Sequence, residues 1–309
     1  MRILVVGAGA IGGYFGGRLL EAGRDVTFLV RPRRAEQLAR DGLVIRSRLG
    51  DVERPAPTVV AEALRTPFDL ILLSCKAYDL DDAIASFAPA VGRDTAILPL
   101  LNGMRHLDAL EQRFGARAVL GGQCAISTTL DAEGRVLHLN DAHFLSFGER
   151  DGTMSARVEV ISADFAGAKF DARASSAILQ EMWEKWVLIC TVAGITCLMR
   201  APIGDVVAAG AGDVATRLLD ECAAIARAQG FPPSEAMVER ARTMVTTAGS
   251  PFAASMFRDI ERGARTEVEH VLGDLLRRGG DSLGAPSVLR IAHGHVATYE
   301  AQRARLAGE

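Results

Sequence analysis

Three glycines near the N-terminus have the spacing of a phosphate-binding loop. Gly7, Gly9 and Gly12 follow the apolar run Ile3–Val6 directly, and a helical pattern begins at Ile11. The first glycine of such a loop permits a tight turn, the second lets the backbone approach a pyrophosphate, and the third lets helix and strand pack closely. The free N–H groups at the helix start bind the phosphates. We therefore predict a dinucleotide site on Gly7, Ala8, Gly9, Ala10, Ile11 and Gly12; the alternative is a glycine-rich turn without a ligand.

The residues after the second apolar run predict which dinucleotide binds. NAD-binding loops place an Asp or Glu about 20 residues after the glycines, where it accepts a hydrogen bond from the ribose 2′-OH. This chain has Val30-Arg31-Pro32-Arg33-Arg34 in that place. An arginine can pair with a 2′-phosphate through two hydrogen bonds. We therefore expect NADP(H), with Arg31 as its chief contact; the alternative is that these arginines form a solvated face.

Lysine is scarce in this chain, so each lysine is a candidate for chemistry that arginine cannot perform. Of the 35 basic residues only three are lysines, namely Lys76, Lys169 and Lys185. A lysine can release its proton near neutral pH, whereas an arginine effectively never does. Lys185 is the one candidate for a titratable ammonium in the C-terminal half, and no role is apparent for Lys169.

Several short motifs occur in an order and spacing that is more specific than the glycine pattern. They are the stretch Arg2–Gly12, then Cys75-Lys76-Ala77-Tyr78, Leu101-Asn102-Gly103-Met104, Met182-Trp183-Glu184-Lys185, Ser255-Met256-Phe257-Arg258-Asp259-Ile260 and Thr266-Glu267. Through these motifs the chain resembles the ketopantoate reductases (2-dehydropantoate 2-reductases) over essentially its whole length. The resemblance implies an NADPH-dependent oxidoreductase that reduces a 2-oxo acid. Its leading substrate would be 2-dehydropantoate, reduced to (R)-pantoate in pantothenate biosynthesis.

The resemblance implies catalytic roles for Lys185 and Glu267. Lys185 matches the family's catalytic lysine. Hydride addition to a ketone builds an alkoxide, and a lysine partly desolvated beside Trp186 and Val187 would have a lowered pKa and act as general acid. Glu267 matches the acid that hydrogen-bonds the reacting or distal hydroxyl. The alternatives are a surface lysine whose stem lies on an apolar face and an acid that stabilises a helix N-terminus.

Three further residues match binding positions of the family. Ser255 matches the serine that holds the substrate carboxylate; the alternative is an N-cap before Met256–Ile260. Asn102 matches an asparagine that the resemblance places between the nicotinamide and Lys185; the alternative is the turn chemistry of an Asn-Gly pair. Lys76 follows a strand and matches the cofactor-side lysine; the alternative is a solvated loop residue.

Two positions depart from the family pattern. Family members carry asparagines one and two helical turns after the catalytic lysine, where they bind the hydroxylated tail of ketopantoate, but this chain has Ile189 and Ala193 there. A site without a polar partner discriminates poorly for a hydroxyl. A more apolar 2-oxo acid is therefore an alternative substrate. A non-catalytic NADPH-binding sensor is a second alternative, which the retention of Lys185, Ser255 and Glu267 disfavours.

The first half of the chain alternates strands and helices. Ile11–Ala22 has a helical pattern, and four apolar runs are typical of parallel strands: Ile3–Val6, Val26–Val30, Leu70–Ser74 and Ala96–Leu101. Ala125–Leu130 and Arg135–Asn140 predict a hairpin, with Phe144–Gly148 as a third strand. We expect these antiparallel strands to extend the edge of the parallel sheet.

The second half is predicted to be helical throughout. Helical spacing covers Ile178–Met199, Asp213–Gln229, Ser234–Thr246, Thr266–Arg278 and Pro286–Leu306. We therefore predict an α/β chain with two domains. Residues 1–174 form an N-terminal Rossmann-type dinucleotide-binding domain, and residues 175–309 form an all-helical substrate and catalytic domain.

Composition argues against several function classes. The formal net charge of −3 gives no broad basic surface for nucleic acid. Five cysteines without a CxxC pair are typical of reduced thiols in a cytoplasmic protein, and the histidine and cysteine spacing predicts no metal site. The apolar stretch Trp186–Met199 has 14 residues, fewer than the roughly 20 that span a bilayer, so we predict no membrane partner. The sequence leaves the oligomeric state open, a homodimer included.

Overall fold

The structure, a computed structural model, describes residues 1–280 and 286–308, and the chain divides into two units. Unit 1 comprises Met1–Leu101 and His106–Leu179, and unit 2 comprises Asn102–Arg105 and Gln180–Glu309. The α/β class with a helical C-terminal part is confirmed. Unit 1 extends a few residues past the predicted boundary after residue 174. The short segment Asn102–Arg105 groups with the helices, which the sequence did not suggest.

The strands of the described chain lie in unit 1. They are β1 (Arg2–Val6), β2 (Asp25–Leu29), β3 (Leu43–Arg46), β4 (Val52–Arg54), β5 (Thr58–Val59), β6 (Leu70–Leu73), β7 (Ala96–Pro99), β8 (Gly121–Leu130), β9 (Val136–Gly148) and β10 (Asp171–Ala174). Five helices accompany them: α1 (Ala10–Glu21), α2 (Pro32–Asp41), α3 (Leu80–Phe87), α4 (Arg105–Phe114) and α5 (Ala156–Phe165).

The first sheet is parallel, in the order β5-β2-β1-β6-β7. Its central strands are continuous apolar runs, and Leu70–Leu73 of β6 and Ala96–Pro99 of β7 are buried along their whole length. Such runs are typical of strands covered on both faces. The strand order reverses at β1, whose neighbours are β2 and β6, and this reversal brings ligand sites to the carboxyl ends of the strands in open α/β sheets.

The predicted extension of this sheet is wrong, because β8 and β9 belong to a second sheet. That sheet has the order β10-β9-β3-β4, with β8 pairing to β9. The predicted third strand Phe144–Gly148 is also not separate, since it is the second half of the 13-residue β9. A register shift between Ile126 and Thr128 keeps β8 paired along this length. There the backbone N–H of Ser127 donates to the Asn140 Oδ1, 3.0 Å away.

Helix α1 packs closely against both sheets through glycines. A Cβ at Gly16 would lie 2.7 Å from the Phe28 ring of the first sheet. A Cβ at Gly17 would lie 2.6 Å from Ile45 Cδ1 of the second sheet. Any side chain at either position would therefore push a sheet away. These glycines let α1 lie close to both sheets.

Unit 2 is helical. Its helices are α6 (Ile178–Met199), α7 (Ile203–Ala208), α8 (Gly212–Ala228), α9 (Glu235–Thr246), α10 (Ser255–Glu261), α11 (Asp274–Gly279) and α12 (Val288–Ala307). Helix α6 has the predicted bounds. The predicted helix Thr266–Arg278 is confirmed from Val268 onward, and within it Glu269–Gly273 forms a π-helical turn before α11. By length and composition α6 could cross a membrane, but 67% of its apolar window is buried inside the protein, as is typical of a core helix.

Candidate active site

The glycine loop between β1 and α1 has an open backbone around Gly9. Gly7 has a φ of +92°, and its N–H donates to the Leu29 carbonyl at 2.9 Å, so the chain turns sharply after β1. A Cβ at Gly9 would meet no atom within 4 Å. A Cβ at Gly12 would lie 2.1 Å from both the Gly7 carbonyl oxygen and the Ser74 Oγ. The loop is thus tightly packed at its two ends and open in the middle.

The N-terminus of α1 presents backbone N–H groups beside this opening. Gly9 is the N-cap residue, no side chain of the described chain caps the helix, and its first turn holds no acidic residue. The first described helical bond runs from the Gly13 N–H to the Gly9 carbonyl at 2.8 Å. Unsatisfied N–H groups and the positive end of a 12-residue helix favour an anion such as a pyrophosphate.

Arg31 lies at the N-cap of α2 and is paired with an acid that the sequence did not suggest. Its guanidinium donates to the Asp79 Oδ1 at 3.0 Å, and the side chains are 75% and 34% exposed. Asp79 follows the exposed Lys76 in the loop after β6, and its N–H donates to the Lys76 carbonyl at 2.9 Å. A carboxylate therefore lies beside the arginine that we expected to meet a phosphate. The sequence could have predicted this pair, because the loops after β2 and β6 both leave the carboxyl edge of the same parallel sheet.

Arg34 is a second residue that sequence reasoning did not single out. Its guanidinium donates to the Ala8 carbonyl at 2.9 Å and to the Gln37 Oε1 at 2.7 Å. Burial lowers the pKa of this guanidinium from its ordinary value, and nearby Asp41 opposes the change. Arg34 thereby holds the glycine loop from α2, whereas Arg31 lies at the surface.

The four residues expected to bind the substrate all belong to unit 2. Asn102 does so because the segment Asn102–Arg105 groups with the helices. Lys185 is half-buried on α6 beside Trp186, which is 1% exposed. Ser255 is exposed as the first residue of α10, and Ala254 occupies the N-cap, so the N-cap interpretation of Ser255 is wrong.

Glu267 is half-buried and lies two residues before the π-helical turn. Its backbone carbonyl accepts hydrogen bonds from the N–H groups of His270 at 3.1 Å and Val271 at 2.9 Å. Burial lowers the pKa of the His270 imidazole, although Glu267 and Asp274 act in the opposite direction. Burial within the π-helical turn thus disfavours the charged form of the His270 imidazole.

The two apolar departures lie on α6, four and eight residues after Lys185. Ile189 is half-buried and Ala193 is 4% exposed. Residues spaced by four lie one above the other on a helix. The helix face that carries Lys185 is therefore apolar over its next two turns.

Lys169, which had no apparent role, forms an ion pair. Its Nζ lies 2.6 Å from the Glu21 Oε1 at the end of α1. Burial acts to raise the pKa of Glu21, but Lys169 and Arg18 outweigh it and hold the pKa below its ordinary value. Lys169 thus fastens α1 to the segment before β10.

The remaining candidate groups show no further site. All five cysteines are free thiols. Within residues 1–280 and 286–308, no group of three or more His, Cys, Asp or Glu side chains is placed to hold a metal ion. Burial raises the pKa of the Cys197 and Cys222 thiols to about 12, so neither is a thiolate near neutral pH.

Comparison with known proteins assigns the chain to a family. The family described as ketopantoate reductase PanE/ApbA matches residues 3–152, and its C-terminal counterpart matches residues 177–292. The uncharacterized oxidoreductase YkpB of Bacillus subtilis is 38% identical over 305 residues, which cover 98% of this chain and all of that protein.

Named members of the family are similar over nearly the same length. The 2-dehydropantoate 2-reductase of Halobacterium salinarum is 31% identical, covering 94% of this chain and 96% of that protein. The crystal structure of a PanE/ApbA family ketopantoate reductase from Ralstonia eutropha superposes with a TM-score of 0.87 at 26% identity, covering 98% of this chain and 99% of that one. The chain therefore belongs to the ketopantoate reductase (PanE/ApbA) family and is an oxidoreductase of that family.

Proposed function

We propose that this protein is an NADPH-dependent reductase of 2-oxo acids, with 2-dehydropantoate reduced to (R)-pantoate as the leading reaction. One observation carries the proposal: the four residues that match the family's substrate and catalytic positions, Asn102, Lys185, Ser255 and Glu267, belong to a single unit. The segment that carries Asn102 joins that unit although it lies in the N-terminal half of the sequence. Membership of one unit supports the assignment of these residues to one substrate site.

The residues of unit 1 suit a dinucleotide. The open backbone at Gly9 and the uncapped N-terminus of α1 would hold the pyrophosphate. Arg31 would pair with the 2′-phosphate, and Lys76 would lie on the cofactor side. A bound reduced nicotinamide supplies the hydride for the reaction.

Four side chains of unit 2 would have separate roles in the reduction of a ketone. Ser255 would hold the substrate carboxylate, and Asn102 and Glu267 would orient the carbonyl and hydroxyl oxygens. When the carbonyl carbon gains a hydride, its C=O π electrons move to the oxygen, and Lys185 donates a proton to that oxygen. Lys185 is then neutral and regains a proton from solvent. General acid catalysis of this kind contributes roughly 10²–10⁴ in rate.

Cofactor preference tests the role of Arg31. Arg31→Ala is expected to lower kcat/KM for NADPH about 10–100-fold, because charge-assisted hydrogen bonds contribute about 1.5–3 kcal/mol. Asp79→Asn is expected to raise it up to about fivefold, since an exposed ion pair of at most about 1 kcal/mol no longer competes for Arg31. The kcat/KM values for NADPH and NADH of each variant, with the exposed Arg33→Ala as control, measure both effects. A wild type that prefers NADH and is unaffected by Arg31→Ala contradicts this assignment.

A more apolar 2-oxo acid is the second candidate substrate, and Ile189 and Ala193 favour it. The apolar face after Lys185 offers no amide to a hydroxylated tail. The test compares kcat/KM for ketopantoate with kcat/KM for 2-oxo acids that carry branched aliphatic or aromatic side chains. We expect the apolar acids to be reduced at least as efficiently as ketopantoate if this candidate is right. A clear preference for ketopantoate eliminates it.

The cellular setting is part of the same proposal. Five free thiols suit a reducing compartment, so we infer a cytoplasmic enzyme with a small-molecule substrate. NADPH binding without NADPH oxidation across a broad set of 2-oxo acids would instead support the alternative of a non-catalytic sensor.

A further inference from the structure

The π-helical turn after Glu267 turns one backbone carbonyl toward helix α6. Within Glu269–Gly273 the ladder widens, and the Asp274 N–H donates to the Glu269 carbonyl five residues earlier. Such turns occur frequently at functional sites. Here the Val271 carbonyl accepts hydrogen bonds from two side chains of α6, the Trp186 Nε1 at 2.9 Å and the Cys190 Sγ at 3.0 Å.

Both donors lie on the helix that carries Lys185. Trp186 directly follows Lys185, and Cys190 lies one turn further; they are 1% and 0% exposed. Without the Trp186 donor, the buried Val271 carbonyl would keep only the weak S–H donor of Cys190 and bear part of its desolvation cost. The two bonds therefore fix the π-helical turn, and Glu267 just before it, against the Lys185 segment.

The Asn102 turn contacts the same place. Gly103 has a φ of +80°, and a Cβ there would lie 2.9 Å from the His270 carbonyl oxygen and 3.6 Å from the Trp186 Nε1. The backbone at Gly103, next to Asn102, thus packs against the π-helical turn and near the Trp186 indole. Any side chain at position 103 would have to displace the His270 carbonyl.

We propose that Trp186 is a positioning residue that sets Asn102, Lys185 and Glu267 relative to one another. Its indole N–H holds the π-helical turn, its edge supports the Asn102 turn, and its own backbone continues from Lys185. This inference rests on the proposed reductase function. If Trp186 positions these residues, its substitution lowers kcat, because a misplacement of about 1 Å can lower a rate about 100-fold.

Two variants of α6 separate positioning from simple core packing. Trp186→Phe keeps an aromatic ring but removes the N–H donor. Trp183→Phe is the control for the loss of ring size in the same aromatic cluster, since Trp183 is also buried and its ring centroid lies 4.9 Å from that of Trp186 and 5.4 Å from that of Phe231. We expect Trp186→Phe to lower kcat about 10–100-fold with an unchanged Kd for NADPH, and Trp183→Phe to leave kcat within about twofold.

A glycine pair tests the contact with the Asn102 turn. Gly103→Ala and Gly115→Ala both place alanine at a similar positive φ, +80° and +84°, but a Cβ at Gly115 meets nothing within 4 Å. The backbone strain is therefore matched, and only Gly103→Ala pushes on the His270 carbonyl and brings a methyl group into contact with the Trp186 indole N–H. Gly103→Ala should lower kcat at least tenfold more than Gly115→Ala, and in ¹⁵N-labelled protein it should shift the indole N–H resonance of Trp186, which is assigned by its loss in Trp186→Phe.

The outcomes distinguish the inference from the function on which it rests. An active wild type whose Trp186→Phe and Trp183→Phe variants have the same kcat overturns the positioning role alone. The same holds if Gly103→Ala leaves the Trp186 resonance unmoved. A wild type that reduces no 2-oxo acid overturns the proposed function and the inference together.

Discussion

Lys185→Ala is expected to lower kcat for 2-oxo acid reduction by at least about two orders of magnitude, which is the scale of general acid catalysis. The ammonium is the only proton source that we assign to the forming alkoxide, so its loss should slow the chemical step. The Kd for NADPH should be unchanged, because the residues assigned to the cofactor's phosphates belong to unit 1 and Lys185 to unit 2.

Two further substitutions make the Lys185 result specific. Lys185→Arg keeps a positive charge but cannot release a proton near neutral pH, so we expect it to remain as slow as Lys185→Ala. Lys169→Ala removes a lysine whose ammonium pairs with Glu21 in unit 1, and kcat should then stay within about twofold of wild type because surface ion pairs contribute at most about 1 kcal/mol. Unchanged turnover in Lys185→Ala would remove this residue from the mechanism.

Gly12→Ala is expected to abolish NADPH binding and to lower Tm by several degrees. The new Cβ would lie 2.1 Å from the Gly7 carbonyl oxygen, and that backbone atom cannot move without opening the turn between β1 and α1. Overpacking of a core costs about 1–3 kcal/mol, and each 1 kcal/mol shifts Tm by about 2–4 °C for a unit of this size. Thermal melting and NADPH titration measure the two effects.

Gly9→Ala is the matched control because its Cβ meets no protein atom within 4 Å and its φ of −80° suits alanine. Its Tm should equal that of wild type, whereas its Kd for NADPH should rise at least about tenfold, since the methyl group occupies the space that the pyrophosphate needs. If Gly9→Ala binds NADPH as tightly as wild type, the loop is not the phosphate site.

The parts of the fold that were predictable from sequence are those with strong local patterns. The parallel strands are unbroken apolar runs, as in Leu70–Leu73, and α6 carries 22 residues of helical spacing without a glycine or proline break near its ends. The glycine loop was recognisable because strand, loop and helix follow one another directly. Local sequence suffices to predict an element when the short segment that carries the hydrophobic pattern also determines the structure of that element.

The features that the sequence did not reveal depend on distant residues. The hairpin β8–β9 pairs with β3, which lies about 90 residues earlier in the chain (Arg46 opposite Leu137), and its polar middle hides the continuity of β9. The residues of the π-helical turn have the same apolar spacing as an α-helix, so the sequence pattern does not separate the two, and the Val271 carbonyl bonds to Trp186 and Cys190 of a distant helix. The grouping of Asn102 with unit 2 is likewise set by tertiary contacts.

The central claim is that this oxidoreductase transfers a hydride to a 2-oxo acid. Its most direct test is to mix the wild-type protein with NADPH and each of a set of 2-oxo acids, ketopantoate included, and to follow both the loss of NADPH absorbance and the amount of 2-hydroxy acid formed. We predict NADPH oxidation with at least one of these acids, accompanied by an equal amount of the 2-hydroxy acid. NADPH that binds to the protein but is oxidised with none of them would contradict the account.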